Sequence, residues 1–361
     1  RGGSKINGTC SCSTLDTKAQ SVTLIYVDAT KGWQDVNDST SNVSGAAFIA
    51  ATGGTVLTNG NFKTHVFTSD ANFIVSSAGN SAGSNTVEYM VVGGGGSGGS
   101  GGVGGSGAGG GGGGFRSFIT GSPNPLNASA LPVSAQTYPI TVGAGEATPG
   151  SANGVGSKGA DSVFTTITSA GGGAGGVGNP LPGTSNQGKP GGSGGGSRGT
   201  AGLAAGSGNT PPVSPPQGQD GGANPTSPEK ASGGGGGAGA VGGTGSSPQC
   251  GAGNGGDGGV GSFIADSVFG PTASSYGQSP SPLAPNGRYF SGGGGGNGYN
   301  APASGDGGGG GGGATSSLGT GGAGTANTGG GGGGGSGGPG RPNDPGGNGG
   351  SGVVVIRYKF Q

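Results

Sequence analysis

Apolar residues in this chain gather in short runs, and the long stretches between them carry almost none. Ser21-Val22-Thr23-Leu24-Ile25-Tyr26-Val27, Phe48-Ile49-Ala50-Ala51-Thr52, Asn61-Phe62-Lys63-Thr64-His65-Val66-Phe67 and Ala71-Asn72-Phe73-Ile74-Val75-Ser76 are rich in β-branched and aromatic residues. They read as strands, with Gly53-Gly54 and Ser69-Asp70 as turns. Val87-Glu88-Tyr89-Met90-Val91-Val92 and Val353-Val354-Val355-Ile356-Arg357-Tyr358 are nearly continuous apolar strands. Tyr138-Pro139-Ile140-Thr141-Val142 and Ser162-Val163-Phe164-Thr165-Thr166-Ile167-Thr168 read as shorter ones. No window sustains a 3.6-residue period, so essentially no α-helix is predicted.

Composition changes this picture for the middle of the chain. Of 361 residues 106 are glycine and 23 proline, and the glycines fall in runs such as Gly93–Gly96, Gly109–Gly114, Gly233–Gly237, Gly307–Gly313 and Gly329–Gly335. Such a composition ordinarily signals disorder. Two features argue against that here. Lys+Arg and Asp+Glu are 14 each, so little repulsion would keep a coil expanded. The glycine region is also bracketed by the matched strands Val87–Val92 and Val353–Tyr358, which a linker does not need.

Glycine folds without a conventional core in the polyproline II conformation. The chain then rises ~3.1 Å per residue with about three residues per turn and makes no internal hydrogen bonds. Its N–H and C=O groups point outward to neighbouring helices, and side chains would block that approach. A strict Gly-X-Y period is absent, which excludes collagen. A helix enclosed on all sides is expected to be all glycine, as Gly307–Gly313 is. An outer helix can carry side chains on its free side, as in Gly251-Ala252-Gly253-Asn254-Gly255-Gly256-Asp257-Gly258-Gly259.

The predicted fold is therefore all-β plus a polyglycine II helix bundle. A small N-terminal β module precedes a glycine-helix sandwich closed by paired terminal strands. The expected partition is an attachment module over 1–60, a β base over 61–92, the bundle with inserted loops over 93–352 and a closing strand over 353–361. The first glycine stretch is long enough for two passes with a turn near Ser100–Val103. Segments 203–232 and 262–291 read as surface loops.

Candidate chemistry is sparse. His65, the single histidine, lies in a strand-like run and reads as a cross-strand or surface residue, so no catalytic site is assigned. Gly183–Lys189 imitates a phosphate-binding loop, but Pro190 stands where a hydroxyl residue is required. Cys10, Cys12 and Cys250 do not form a metal set, and no metal or cofactor is expected. Glycosylation-type tripeptides begin at Asn7, Asn37, Asn42 and Asn127. Balanced charge gives no footprint for nucleic acid. No apolar run approaches the ~18 residues of a membrane-spanning helix, so no membrane insertion is expected. The chain opens at Arg1 with neither methionine nor a signal pattern, as a processed or truncated form would.

Binding chemistry falls on side chains beside the glycine runs: Phe115, Arg116, Phe118, Tyr276, Arg288, Tyr289, Phe290 and Tyr299. Aromatics and arginine dominate binding hot spots. The competing reading is that these side chains cap the bundle ends and shield them.

The run Val87–Val92 followed by Gly93–Gly96, then Tyr138–Val142 with Gly143-Ala144-Gly145, Ala170-Gly171-Gly172-Gly173 and Gly352–Tyr358, resembles the glycine-rich domain of bacteriophage tail-fibre and adhesin proteins. Upstream, Leu24–Asp28 with Lys31-Gly32-Trp33, and Phe62–Phe67 with Phe73-Ile74-Val75, look like segments that often precede such domains. The resemblance covers roughly 21–361, and its bracketing strands are more specific than its glycine runs. It implies a receptor-binding fibre in the virion, outside the cell. Distal loops would meet a host cell-surface glycan or outer-membrane protein, and the N-terminal β region would attach to other tail-fibre subunits. Homotrimer and single copy are both left open. The alternatives are a structural protein of an extracellular filament, cell surface or capsid decoration without a ligand, and an ice-binding bundle, for which the threonines lack a three-residue period.

Overall fold

The computed structural model describes residues 21–38, 46–121, 128–148, 154–178, 185–198, 203–223, 231–249, 252–279, 287–299, 304–315, 318–338, 340 and 343–361. Cys10, Cys12, Cys250 and the tripeptide positions Asn7, Asn42 and Asn127 lie outside these residues. The described chain is nearly all β, as expected. In chain order its strands are β1 (Val22–Asp28), β2 (Gly32–Asp38), β3 (Ile49–Thr52), β4 (Thr55–Asn59), β5 (Phe62–Phe67), β6 (Ala71–Ala78) and β7 (Thr86–Val92). Then come β8 (Phe115–Phe118), β9 (Leu131–Pro132), β10 (Thr137–Thr141), β11 (Ser162–Phe164) and β12 (Ile167–Ser169). The series ends with β13 (Ser246–Gln249), β14 (Ala252–Asn254), β15 (Ser262–Ala265), β16 (Gly287–Phe290) and β17 (Val353–Lys359).

Two sheets pack face to face. One runs β4-β5-β17-β7-β8, with β9 also on β7, and the other runs β12-β11-β10-β6-β3. The terminal strands of the glycine region meet as antiparallel neighbours, Val353 opposite Val92 and Arg357 opposite Glu88. Alternation sorts their side chains. Val87, Tyr89, Val91, Val354, Ile356 and Tyr358 face the second sheet and pack with Phe73, Val75, Tyr138, Ile140 and Phe164. Met90, Val92, Val353 and Val355 face the other way, onto Phe115, Ile264, Val268, Phe269 and Phe290. Both faces of the sheet are buried, which is why these runs are apolar throughout. The described parts of the 262–291 segment, 262–279 and 287–291, thus form a lid on the base sheet rather than a surface loop, with β15, β16 and two short 3-10 turns. Ser162–Thr168 is two strands rather than one, because Thr165 turns with φ 54° between them.

Beyond the sandwich the backbone forms a lattice with a period of three. From the outgoing helix, Gly93, Gly96 and Gly99 donate to Gly114, Gly111 and Ala108, while Gly95, Gly98 and Gly101 donate to Gly350, Gly347 and Asp344. Gly94 and Ser97 donate to Ala160 and Ser157. Three residues per turn aim successive N–H groups at three different neighbours.

The returning helix Gly107–Gly114 is fully enclosed. Its N–H groups go to 329–335, 170–176 and 233–236, and its carbonyls receive from 93–99, 193–196 and 291–297, with Ser291 Oγ serving Gly113. All its backbone groups are satisfied without one from water.

Gly307–Gly313 is not such a helix. The chain reverses there, with Gly310 at φ +112° and Gly311 at φ +90°, conformations that favour glycine over any residue with a Cβ. Nor must an enclosed helix be all glycine, since Ala108, Ser97 and Ser100 are buried within it. Ser97 is accommodated because its neighbour is glycine: a Cβ on Gly156 would sit 2.2 Å from Ser97 Oγ. On the outside, Asp257 is exposed while its neighbours Gly256 and Gly259 are buried, as an outer helix requires. The 203–222 stretch joins the lattice too, through Gly206, Gly221 and Gly222.

Candidate functional site

The lattice has two ends. Gly93, Gly114, Gly329 and Ser351 mark the base: Gly93 donates to Gly114, Gly113 to Gly329, and Gly329 to Ser351. The opposite end is marked by the Gly102–Gly105 turn, where each glycine N–H meets the other's carbonyl, and by Arg198, Ser232, Gly298 and Ser336.

These directions relocate the sequence candidates. Phe115, Arg116 and Phe118 form β8, which pairs with β7 from Val92–Phe115 to Tyr89–Phe118 and so lies at the base. Phe115 is sealed in the core, Phe118 packs against the sandwich and Arg116 reaches the Thr168 carbonyl at 3.5 Å. Arg288, Tyr289 and Phe290 form β16, also at the base, antiparallel to β15. Phe290 is buried, and Tyr289 lies over Phe263 with centroids 5.1 Å apart. Arg288 spends its guanidinium on Tyr276 O (2.5 Å), Ser279 Oγ (2.7 Å), Gly277 O (2.9 Å) and Ser274 O (3.3 Å), stapling the turn beneath it. Tyr276 stacks on Phe269 at 4.8 Å. Of the eight, Tyr299 alone is at the far end, where it pairs with Gly253 and is mostly buried.

These contacts set Phe115–Phe118 and Arg288–Phe290 at the base and not among the distal turns. Their side chains cap and shield the base instead, because the glycine run before Phe115 is a return pass. Burial pushes the Tyr289 phenol above its ordinary value.

The far end presents other side chains. Val103, at the tip of the Gly102–Gly105 turn, is 64% exposed, and so is Leu318, next to Gly319, which bonds Ser336. Among the described residues no other large apolar side chain is as exposed. For Val103 the sequence signal was present but faint: an isolated aliphatic residue interrupting a glycine run.

His65 is not at a surface. It is fully buried, with Nδ1–H donating to Gly53 O at 2.7 Å and Nε2 accepting from the Tyr358 hydroxyl at 3.2 Å. The carbonyl can only accept, which fixes the proton on Nδ1. Burial lowers its pKa most, the Gly53 bond raises it, and nearby Lys63 lowers it further. Among the described residues no three His, Cys, Asp or Glu gather as a metal site would need, and no helix is long and apolar enough to cross a membrane.

These features define an all-β protein in which a sandwich clamps a hydrogen-bonded lattice of glycine helices. Residues 68–359 match the family described as the glycine-rich domain, from just past β5 to the end of β17, and the chain belongs to that family. None of the curated proteins matches it.

Proposed function

We propose that this chain is a bacteriophage tail-fibre or tail-tip adhesin of the virion, binding a host cell-surface polysaccharide or outer-membrane protein through the far turns of its lattice. The observation that carries this reading is the exposure of Val103 and Leu318 at 64% each on the end away from the sandwich. An enclosed glycine helix offers a partner no side chains, so recognition falls to the residues where helices turn. A lattice with its backbone groups satisfied holds those turns without further ordering on binding, which lowers the cost of recognition. Several copies on a fibre would raise weak single-site affinity through avidity.

The β1–β2 hairpin leaves Leu24, Ile25, Tyr26, Val27 and Trp33 exposed and hydrogen-bonds to no other described strand. An isolated hairpin is only marginally stable in water, so on this reading it is the element that joins other fibre subunits or copies of the chain.

A second reading is favoured by a specific observation. The aromatic and arginine candidates are mostly consumed by packing, as expected of a structural filament or decoration protein without a ligand. Binding of purified chain to a panel of bacterial strains separates the two. The double variant Val103→Ser with Leu318→Ser should lose at least about tenfold in binding while unfolding at the same temperature. Unchanged binding by that variant, or no binding of the native chain to any strain, favours the structural reading.

A further inference from the structure

Two arginines are almost fully buried, Arg288 at 6% and Arg198 at 5% exposed, and they are treated in opposite ways. Four acceptors surround the Arg288 guanidinium. Among the described residues Arg198 has one: Nη2 donates to Gly104 O at 2.6 Å, while Nε is buried with no partner there. The ion pairs among the described residues are Lys158–Asp161 and Arg357–Glu88, so no carboxylate there answers Arg198. Asp344, at the same end, is bonded to Ser336 Oγ at 2.6 Å and docks on Gly101, whereas Arg198 anchors on Asn186 and Gly104.

A guanidinium carries five donors, and burying its charge without an anion is costly. It stays charged at any ordinary pH, so it cannot escape by losing its proton. Desolvation acts on it in that unfavourable direction. Its place is equally specific. It follows Gly196, which bonds Gly109, and its side chain reaches the Gly102–Gly105 turn that carries Val103.

We propose that Arg198 is the centre of an anion subsite at the far end, taking an oxyanion, the carboxylate or sulfate of an acidic surface polysaccharide. The planar fork suits such groups, since two parallel N–H···O bonds add both strength and orientation. Nε and one Nη form one edge of that fork, and Nε is the donor left without a partner. Lysine offers a point charge without that edge and does not replace it. Assignment to a polysaccharide rests on the adhesin reading; the anion site itself does not.

The test uses the full chain. Thermal unfolding is followed while glucuronate, inorganic sulfate or neutral glucose is added at constant ionic strength. A saturable rise with glucuronate or sulfate, absent with glucose, is expected; the more effective anion identifies the group. Arg198→Gln should abolish the rise, and Arg198→Lys should weaken it at least about tenfold in midpoint concentration. No saturable response of the native chain to either anion, or an undiminished response in Arg198→Gln, overturns the proposal. If Arg198→Gln does not fold, the Arg198 Nε–H resonance of the native chain gives the answer: it should move on titration, and a stationary resonance overturns the site. Anion binding with unchanged bacterial adsorption by Arg198→Gln would uphold the subsite and detach it from host recognition, so the two readings fail separately.

Discussion

The sandwich and the lattice solve one problem with opposite means. In the sandwich, side chains alternate with a period of two and the two sheets meet through rings: Phe73 alone lies within 6.4 Å of the rings of His65, Phe67, Tyr138, Phe164 and Tyr358. In the lattice, the repeat is three and few side chains are admitted, none larger than Ala108 in the enclosed pass; Gly107–Gly114 is held by backbone hydrogen bonds on every side. Each such bond contributes roughly 0.5–1.5 kcal/mol net. Ordering a residue's backbone costs roughly 1–2 kcal/mol. Hydrogen bonds alone therefore leave the lattice near balance, and close packing with a closed base must tip it. Apolar burial in the sandwich supplies that closure. One region tolerates methyl groups and needs them, while the other is defined by where a methyl group cannot go.

The largest expected effect comes from cutting the connection between the regions. Strand β17 lies between β5 and β7, so deleting Gly352–Gln361 splits the sheet rather than merely exposing an edge. Such a chain should be insoluble or lack a cooperative unfolding transition; a soluble chain with an unchanged melting profile would contradict the role given to the base.

Next is Gly110→Val. A Cβ there would meet the Gly96 carbonyl oxygen at 2.3 Å and that of Ser97 at 2.7 Å, both backbone. A loss beyond about 4 kcal/mol is expected in denaturant titration, the range reserved for severe steric faults. Asn254→Val, on the partly exposed flank, should cost under about 0.5 kcal/mol. Equal losses at the two sites would erase the distinction between the enclosed helix and the outer flank of the lattice. Phe73→Ala should cost about 3–5 kcal/mol through the cavity it leaves in the sandwich.

Smaller still is a pH effect confined to the sandwich. His65 is lowered from its ordinary value, so the native state favours the neutral ring. Its contribution is full above the unfolded pKa of about 6.5 and declines as pH falls below that. The slope cannot exceed about 1.4 kcal/mol per pH unit for one group. Unfolding midpoints measured from pH 7.5 to 5 should fall more in the native chain than in His65→Gln.

Much of the sandwich is legible in the sequence because strand alternation carries direction and facing. Val87–Val92 and Val353–Tyr358 read as partners and are partners. A glycine run carries no such information. Gly307–Gly313 reverses at Gly310 and Gly311, whereas Gly329–Gly335 leaves a turn at Gly329 and runs on buried, yet both are seven glycines in a row. Nothing in Thr165-Thr166 announces a hairpin turn either. For the candidate site, residue type was legible but location was not, since the end on which a side chain falls depends on how many passes precede it. Two passes between Gly93 and Gly114 already return Phe115 to the base, and the turn near Val103 that requires this was itself readable. The buried, underbonded Arg198 comes from registers between helices far apart in sequence, which composition does not encode.

Hydrogen exchange of the amides from Gly107 to Gly114 tests the enclosed lattice most directly. With every one of these N–H groups bonded to another helix, exchange should be as slow as that of the β7 and β17 amides paired with each other. Exchange within seconds, while β7 and β17 remain protected, would mean that the sandwich folds and the glycine region does not.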